Sequence, residues 1–99
     1  MTKERRLAIE MWTGIRDMLT SYDTVPRSDI LLYKYNFCKQ HSLNWSNNCW
    51  FCKYIPRCNK CPLKRCSDGL YETALADYKE KDVRIDACTN IVKALGGEI

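Results

Sequence analysis

Five of the seven cysteines in this 99-residue chain fall within one stretch, NNCWFCKYIPRCNKCPLKRC, residues 47 to 66. They read Cys49-x2-Cys52, then Cys58-x2-Cys61, then Cys66. A Cys-x2-Cys pair on a tight knuckle aims both sulfurs at one tetrahedral ion about 2.3 Å away, and two such pairs complete a four-thiolate shell. Zinc fills that shell without redox chemistry. The spacing therefore predicts one structural Zn2+ held by four of Cys49, Cys52, Cys58, Cys61 and Cys66. Cys66 stands at the expected start of a helix, where the N-terminal dipole favours a thiolate, so it can replace one of the other four. Five residues separate the pairs, fewer than in most zinc ribbons, so the loop must be compact; Pro56 and Pro62 stiffen it.

Other uses of clustered thiols fit less well. An iron–sulfur cluster also takes cysteine, and Cys61-Pro62 matches the end of one bacterial cluster motif, but the remaining spacings do not follow that run. A redox Cys-x2-Cys belongs in a βαβ setting, and disulfides belong in an oxidising compartment. Cys38 and His41 share a C-x2-H spacing, yet they read as a small apolar residue and a helix-end residue; Cys88 reads as core. Between residues 42 and 67 there is neither an acid nor a histidine. A four-thiolate shell is closed and lacks the open position and the general base of a catalytic zinc site. With no nucleophile–base pair, phosphate loop or H-x-E motif elsewhere, the chain reads as non-catalytic and points to no small-molecule substrate.

The net charge of +4 is unevenly spread. No acid lies between Asp29 and Asp68, while Lys34, Lys39, Lys53, Arg57, Lys60, Lys64 and Arg65 do. The rest of the chain is mildly acidic. Zinc in four thiolates carries a net charge near −2, roughly, which part of this surplus balances. Part of Lys53, Arg57, Lys60, Lys64 and Arg65 serves that balance, and the rest, with Trp50 and Tyr54 among them, is expected to form a partner-binding surface. A metal-tied loop presents such a patch to an acidic protein groove at low ordering cost. The same residues suit nucleic acid, where cations meet phosphates and aromatics stack on bases, although a pI of 8.7 is below the usual nucleic-acid footprint. A protein partner is the leading expectation; direct nucleic-acid binding is the alternative.

These residues need a frame, and the length predicts one domain: an N-terminal helical part (1–46), the cysteine module (47–67) and a C-terminal helical part (68–99). Leu7, Met11, Ile15, Met18 and Tyr22, with Trp12 and Leu19 beside them, predict an amphipathic helix over 3–22 capped by Thr2 and weakened at Gly14. Residues 23–29 read as a linker containing Pro26. Ser28 or Asp29 then caps a second helix, ILLYKYNFCKQHSL, where Leu31, Tyr35 and Cys38 fit helical spacing; alternation of Leu31, Tyr33, Tyr35 and Phe37 also fits a strand. After Cys66, with Ser67 or Asp68 as cap and Gly96-Gly97 as stop, the chain reads as helix again. Tyr71, Leu75 and Tyr78 form one stripe and Val83, Ala87, Ile91 and Leu95 another; DYKEKD between them is an exposed stretch or a bend. The expected class is mainly α, a small helical domain with an inserted zinc-knuckle-like loop. No run of about 18 apolar residues exists to span a bilayer, and MTKERRLAIEMW has no signal-peptide core, so the expected location is cytoplasmic.

Met11-Trp12 with Ile15, the segment YKYNFCKQHSL, the knuckle NNCWFCKY, then CNKCPL, and Cys66 before Gly69-Leu70-Tyr71, together resemble a group of short bacteriophage proteins. The resemblance runs over roughly the whole chain, and its most specific part is the cysteine–Pro-Leu core. It implies a phage accessory product in the cytoplasm of an infected bacterium. Small phage proteins of this size commonly bind and inhibit a host factor, including defence systems and nucleic-acid-processing machinery.

Overall fold

A computed structural model describes residues 2–43 and 69–97; every expectation that falls on 44–68, the cysteine module included, lies outside the described residues. The regular structure among them is entirely helical: α1 (Lys3–Ser21), α2 (Arg27–Gln40), α3 (Leu70–Leu75) and α4 (Lys81–Ala94).

α1 forms where its periodicity predicts. The Thr2 hydroxyl accepts from the Arg5 amide at 3.2 Å, satisfying one of the orphan donors of the first turn. Leu7, Ala8, Met11, Trp12, Ile15 and Leu19 are buried, and each of the large ones contributes about 1.5–3 kcal/mol on leaving water. Tyr22, expected to close the stripe, is instead the C-cap and stands 62% exposed. Gly14 is explained by its neighbour. A Cβ there would overlap the Tyr33 hydroxyl and lie 2.8 Å from its Cζ, so the missing side chain makes the notch into which α2 sets that ring.

The second segment is a helix throughout 30–38, which settles it against the strand. It begins earlier than expected, and Ser28 and Asp29 are inside its first turn rather than capping it. The physical reason is Pro26, whose ring fixes φ at −64° in the N-cap position and donates no N–H. Since Pro26 offers no side-chain cap, the Asp77 carboxylate reaches across from the α3–α4 bend and accepts from the Arg27 amide at 3.4 Å. The buried face also differs from the expected Leu31, Tyr35, Cys38: it is Ile30, Lys34, Phe37 and Cys38, while Leu31 and Tyr35 are exposed.

The DYKEKD stretch is a bend. It separates α3 from α4, and Tyr78 within it and Val83 just after it are exposed, unlike the rest of their expected stripes, whereas Leu75, Ala87, Ile91 and Leu95 are buried. Arg84 holds the bend in place. Its guanidinium, in a side chain that is 4% exposed, donates from Nε to the Ala74 carbonyl at 3.1 Å and from Nη1 to the Val25 carbonyl at 2.7 Å. One side chain thus joins α4, the end of α3 and the α1–α2 linker. α4 stops at the predicted glycines: Gly96 takes φ 90°, and the amides of Gly96 and Gly97 return to Lys93 and Val92, both at 2.9 Å, closing a Schellman motif. The Arg5 Nε donates to the Leu95 carbonyl at 2.6 Å and ties this end back to α1. α4 packs on both α1 and α3, and α1 touches α2 over a shorter stretch.

The notch at Gly14 makes a double-mutant test. Gly14→Ala should lose about 1–3 kcal/mol in urea unfolding through overpacking. In a Tyr33→Leu background the same change should be neutral or gain up to about 1 kcal/mol from helix propensity. Additive effects in the two backgrounds would remove the ring as the cause.

Candidate metal centre

The described helices bracket the cysteine module. At its near side, α2 ends in a second Schellman motif: the Ser42 amide returns to Lys39 at 3.3 Å and the Leu43 amide to Cys38 at 2.7 Å. Ser42 occupies the left-handed position with φ 57°, where glycine is the unstrained residue. At the far side, Gly69 opens α3, and the Thr73 hydroxyl donates to its carbonyl at 2.9 Å. Leu43, Leu70 and Tyr71 pack against the same core cluster, so the described residues on both sides of 44–68 rest on one core.

Two side-chain contacts clamp α2, which leads into the module, to α3, which leads out. Arg27 forms a forked pair with Glu72, at 2.9 Å and 3.4 Å. The hydrogen bond from Arg27 pulls the Glu72 carboxyl below its usual range, against burial, with the charges of Arg27 and Lys34 adding to it. Deeper in, Lys34 is fully buried and donates to the Tyr71 hydroxyl at 2.5 Å. Its ammonium lies 4.4 Å from the Tyr71 ring centroid and 5.8 Å from that of Trp12. The two rings meet edge to face with centroids 5.8 Å apart. Counted with the basic surplus in sequence, Lys34 is turned into the core and takes no part in any surface.

The two described cysteines are packing residues. Cys38 is 1% exposed and Cys88 fully buried, each a free thiol. Burial pushes the Cys38 thiol up, with Lys34 opposing; it pushes Cys88 up to about 12, with Arg84 and Arg16 opposing. Metal ligands must be thiolates, and both environments favour the protonated form. His41 is the C-cap of α2, with its ring 4.5 Å from that of Phe37. Among the described residues no group of three or more His, Cys, Asp or Glu side chains is placed to hold a metal. Cys49, Cys52, Cys58, Cys61 and Cys66, and the partner-binding candidates Trp50, Lys53, Tyr54, Arg57, Lys60, Lys64 and Arg65, all lie outside the described residues.

The sequence pattern marks neither Lys34, counted above with the basic surplus, nor Arg84 as internal. A signal for Lys34 exists: it stands four residues after Ile30 and three and four before Phe37 and Cys38, on the face those residues bury. Among the described residues no helix is long and apolar enough to cross a membrane. Comparison with family models, with curated proteins and with solved structures finds no match to this chain.

Two measurements probe this frame. Ser42→Gly should raise stability by about 1 kcal/mol by relieving the left-handed position at the mouth of the module; no gain would mean the strain is absent. The second concerns pH. A folded-state Cys88 raised from 9.0 to about 12 contributes stability that is complete below pH 9 and lost as pH rises towards 12. Between pH 8 and pH 10.5 the wild type should therefore lose about 1–2 kcal/mol more than Cys88→Ala in urea unfolding. Equal losses would show that Cys88 titrates normally.

Proposed function

We propose that this protein is a small, phage-type, zinc-organised binding protein that is non-catalytic and acts in the cytoplasm of an infected bacterium by binding and modulating or inhibiting a host protein. A defence factor or a nucleic-acid-processing factor is the kind of host protein such an accessory product meets. The observation that carries the reading is the doubled Cys-x2-Cys with Cys66 in a segment free of acids and histidine. That donor set is wholly soft, which suits zinc over hard cations, and any four of Cys49, Cys52, Cys58, Cys61 and Cys66 would hold the ion. Bound there, zinc supplies folding free energy and a fixed loop shape. The helical frame suits the same reading: Arg27–Glu72 and Lys34–Tyr71 clamp α2, which precedes the module in the chain, to α3, which follows it.

Lys53, Arg57, Lys60, Lys64 and Arg65, with Trp50 and Tyr54, are then the contact residues. A second reading rests on the same composition: basic residues interleaved with aromatics are also what a nucleic acid strand requires.

Freshly purified protein should contain about one zinc per chain, and Cys49→Ser with Cys52→Ser should lose it. Tagged protein should capture a discrete protein from bacterial lysate that survives nuclease treatment. Capture of nothing, or loss of the captured protein on nuclease treatment, counts against the leading reading. Gel shifts with DNA and RNA at low salt, weakening steeply as salt rises, would favour the second.

A further inference from the structure

Arg84 is buried, and its Nε and Nη1 donate to the carbonyls of Ala74 and Val25. Its remaining nitrogen, Nη2, is buried with no hydrogen-bond partner, the one side-chain polar atom so left among the described residues. A charged donor without an acceptor is costly to keep out of water. Burial also holds the Arg84 guanidinium below its ordinary range, and the opposing charge of Asp77 does not restore it. The group lacks both an acceptor and a full share of negative charge.

Arg84 lines a cavity of about 120 Å³ where the α1–α2 linker meets the α3–α4 bend, with Val25 beside it. A single water needs only about 10–15 Å³ of such space, so there is room for a ligand of several atoms. Five charged side chains line the cavity: Arg84, Lys79 and Lys81 against Asp23 and Asp77, a surplus of one positive charge. Asp77 is drawn towards α2, where its carboxylate accepts from the Arg27 amide. Among the described residues Lys79 and Lys81 enter no ion pair, and the Lys79 ammonium faces only the Tyr78 ring, 5.7 Å from its centroid. Lys81 is the first residue of α4, whose N-cap, Glu80, makes no side-chain cap bond. The positive end of that 14-residue helix therefore adds to the three cations. Glu80 and Asp82 stand at the same helix end but outside the cavity lining.

We propose that this cavity binds a small monocarboxylate anion of about acetate size, which accepts from Arg84 Nη2 and is held at the rim by Lys79 and Lys81. One negative charge cancels the surplus, whereas a phosphate dianion exceeds it and is repelled by Asp23 and Asp77. The bound anion joins the linker, the bend and the first turn of α4. It is a ligand site separate from the cysteine module and does not rest on the metal.

The test titrates the full-length protein at neutral pH with sodium acetate, and with sodium chloride and sodium phosphate at matched ionic strength, following amide chemical shifts. Acetate should saturate, with shifts centred on the linker and the bend, at a dissociation constant of about 1–10 mM, in keeping with a ligand of so few atoms. Lys79→Ala with Lys81→Ala should weaken acetate about tenfold while leaving thermal unfolding without acetate unchanged, and Asp23→Asn should tighten it. Arg84→Lys keeps the charge, removes Nη2 and should abolish saturation. Because Arg84 also ties the bend, the lysine and Asp23 variants decide the matter if Arg84→Lys does not fold. A response to acetate no different from chloride, tighter binding of phosphate than of acetate, or indifference to both the lysine and the Asp23 changes would overturn the proposal.

Discussion

Burial of one face of α1 is the interaction on which the rest of the molecule is assembled. Met11, Trp12, Ile15 and Leu19 leave water almost completely, and α4 and α2 are laid against that helix, with α3 packed on α4 and meeting α1 through the Tyr71 and Trp12 rings. A small chain has little apolar area to spare, so one well-filled stripe must serve several neighbours. Nonspecific burial leaves their relative positions open. Polar contacts of fixed geometry select one arrangement: Arg84 on the carbonyls of Val25 and Ala74, Arg5 on that of Leu95, Asp77 on the amide of Arg27. Buried donors and acceptors are costly when unmet, so the two buried Arg84 bonds penalise alternative packings as well as stabilising this one.

The same logic joins the frame to the cysteine module. α3 has six residues, too short to be stable alone, and it is fixed by α4 behind it and by Arg27 and Lys34 in front. A buried lysine is expensive unless its ammonium is satisfied. Tyr71 serves Lys34 twice, through its hydroxyl and through its ring, and that cost is incurred where the chain returns from the module. The left-handed Ser42 lies where the chain departs. Strain and buried charge thus flank the segment whose shape the proposed function needs.

Some of this was legible in the residues alone. α1 carries a long, strongly periodic stripe with a Thr cap, and Gly96-Gly97 mark a stop that only a left-handed turn explains; both emerged at or near their expected places. Cys38 and Cys88 were readable as core for a similar reason, since small apolar thiols sat among periodic apolar positions. α2 was harder. Its pattern is divided because Leu31, Leu32 and Tyr35 on one face compete with Ile30, Phe37 and Cys38 on the other, and a lysine sits in the middle of the buried set. Periodicity weighs side chains by polarity and cannot tell an ammonium wrapped by Tyr71 and Trp12 from one in water.

By itself, then, the sequence determined the helical class, the principal helix, the helix stop at the C-terminal end and the set of thiols available to a metal. Those properties follow from neighbours within a few turns of one another, where backbone geometry and spacing are enough. Tertiary structure alone decided which face of α2 is inside, that Asp77 caps a helix 50 residues before it, and that Gly14 exists to admit the ring of Tyr33. It also decided that Arg84 and Lys34 are internal. Each of these is a contact between residues distant in the chain, and no local pattern encodes a distance that arises only when the helices meet.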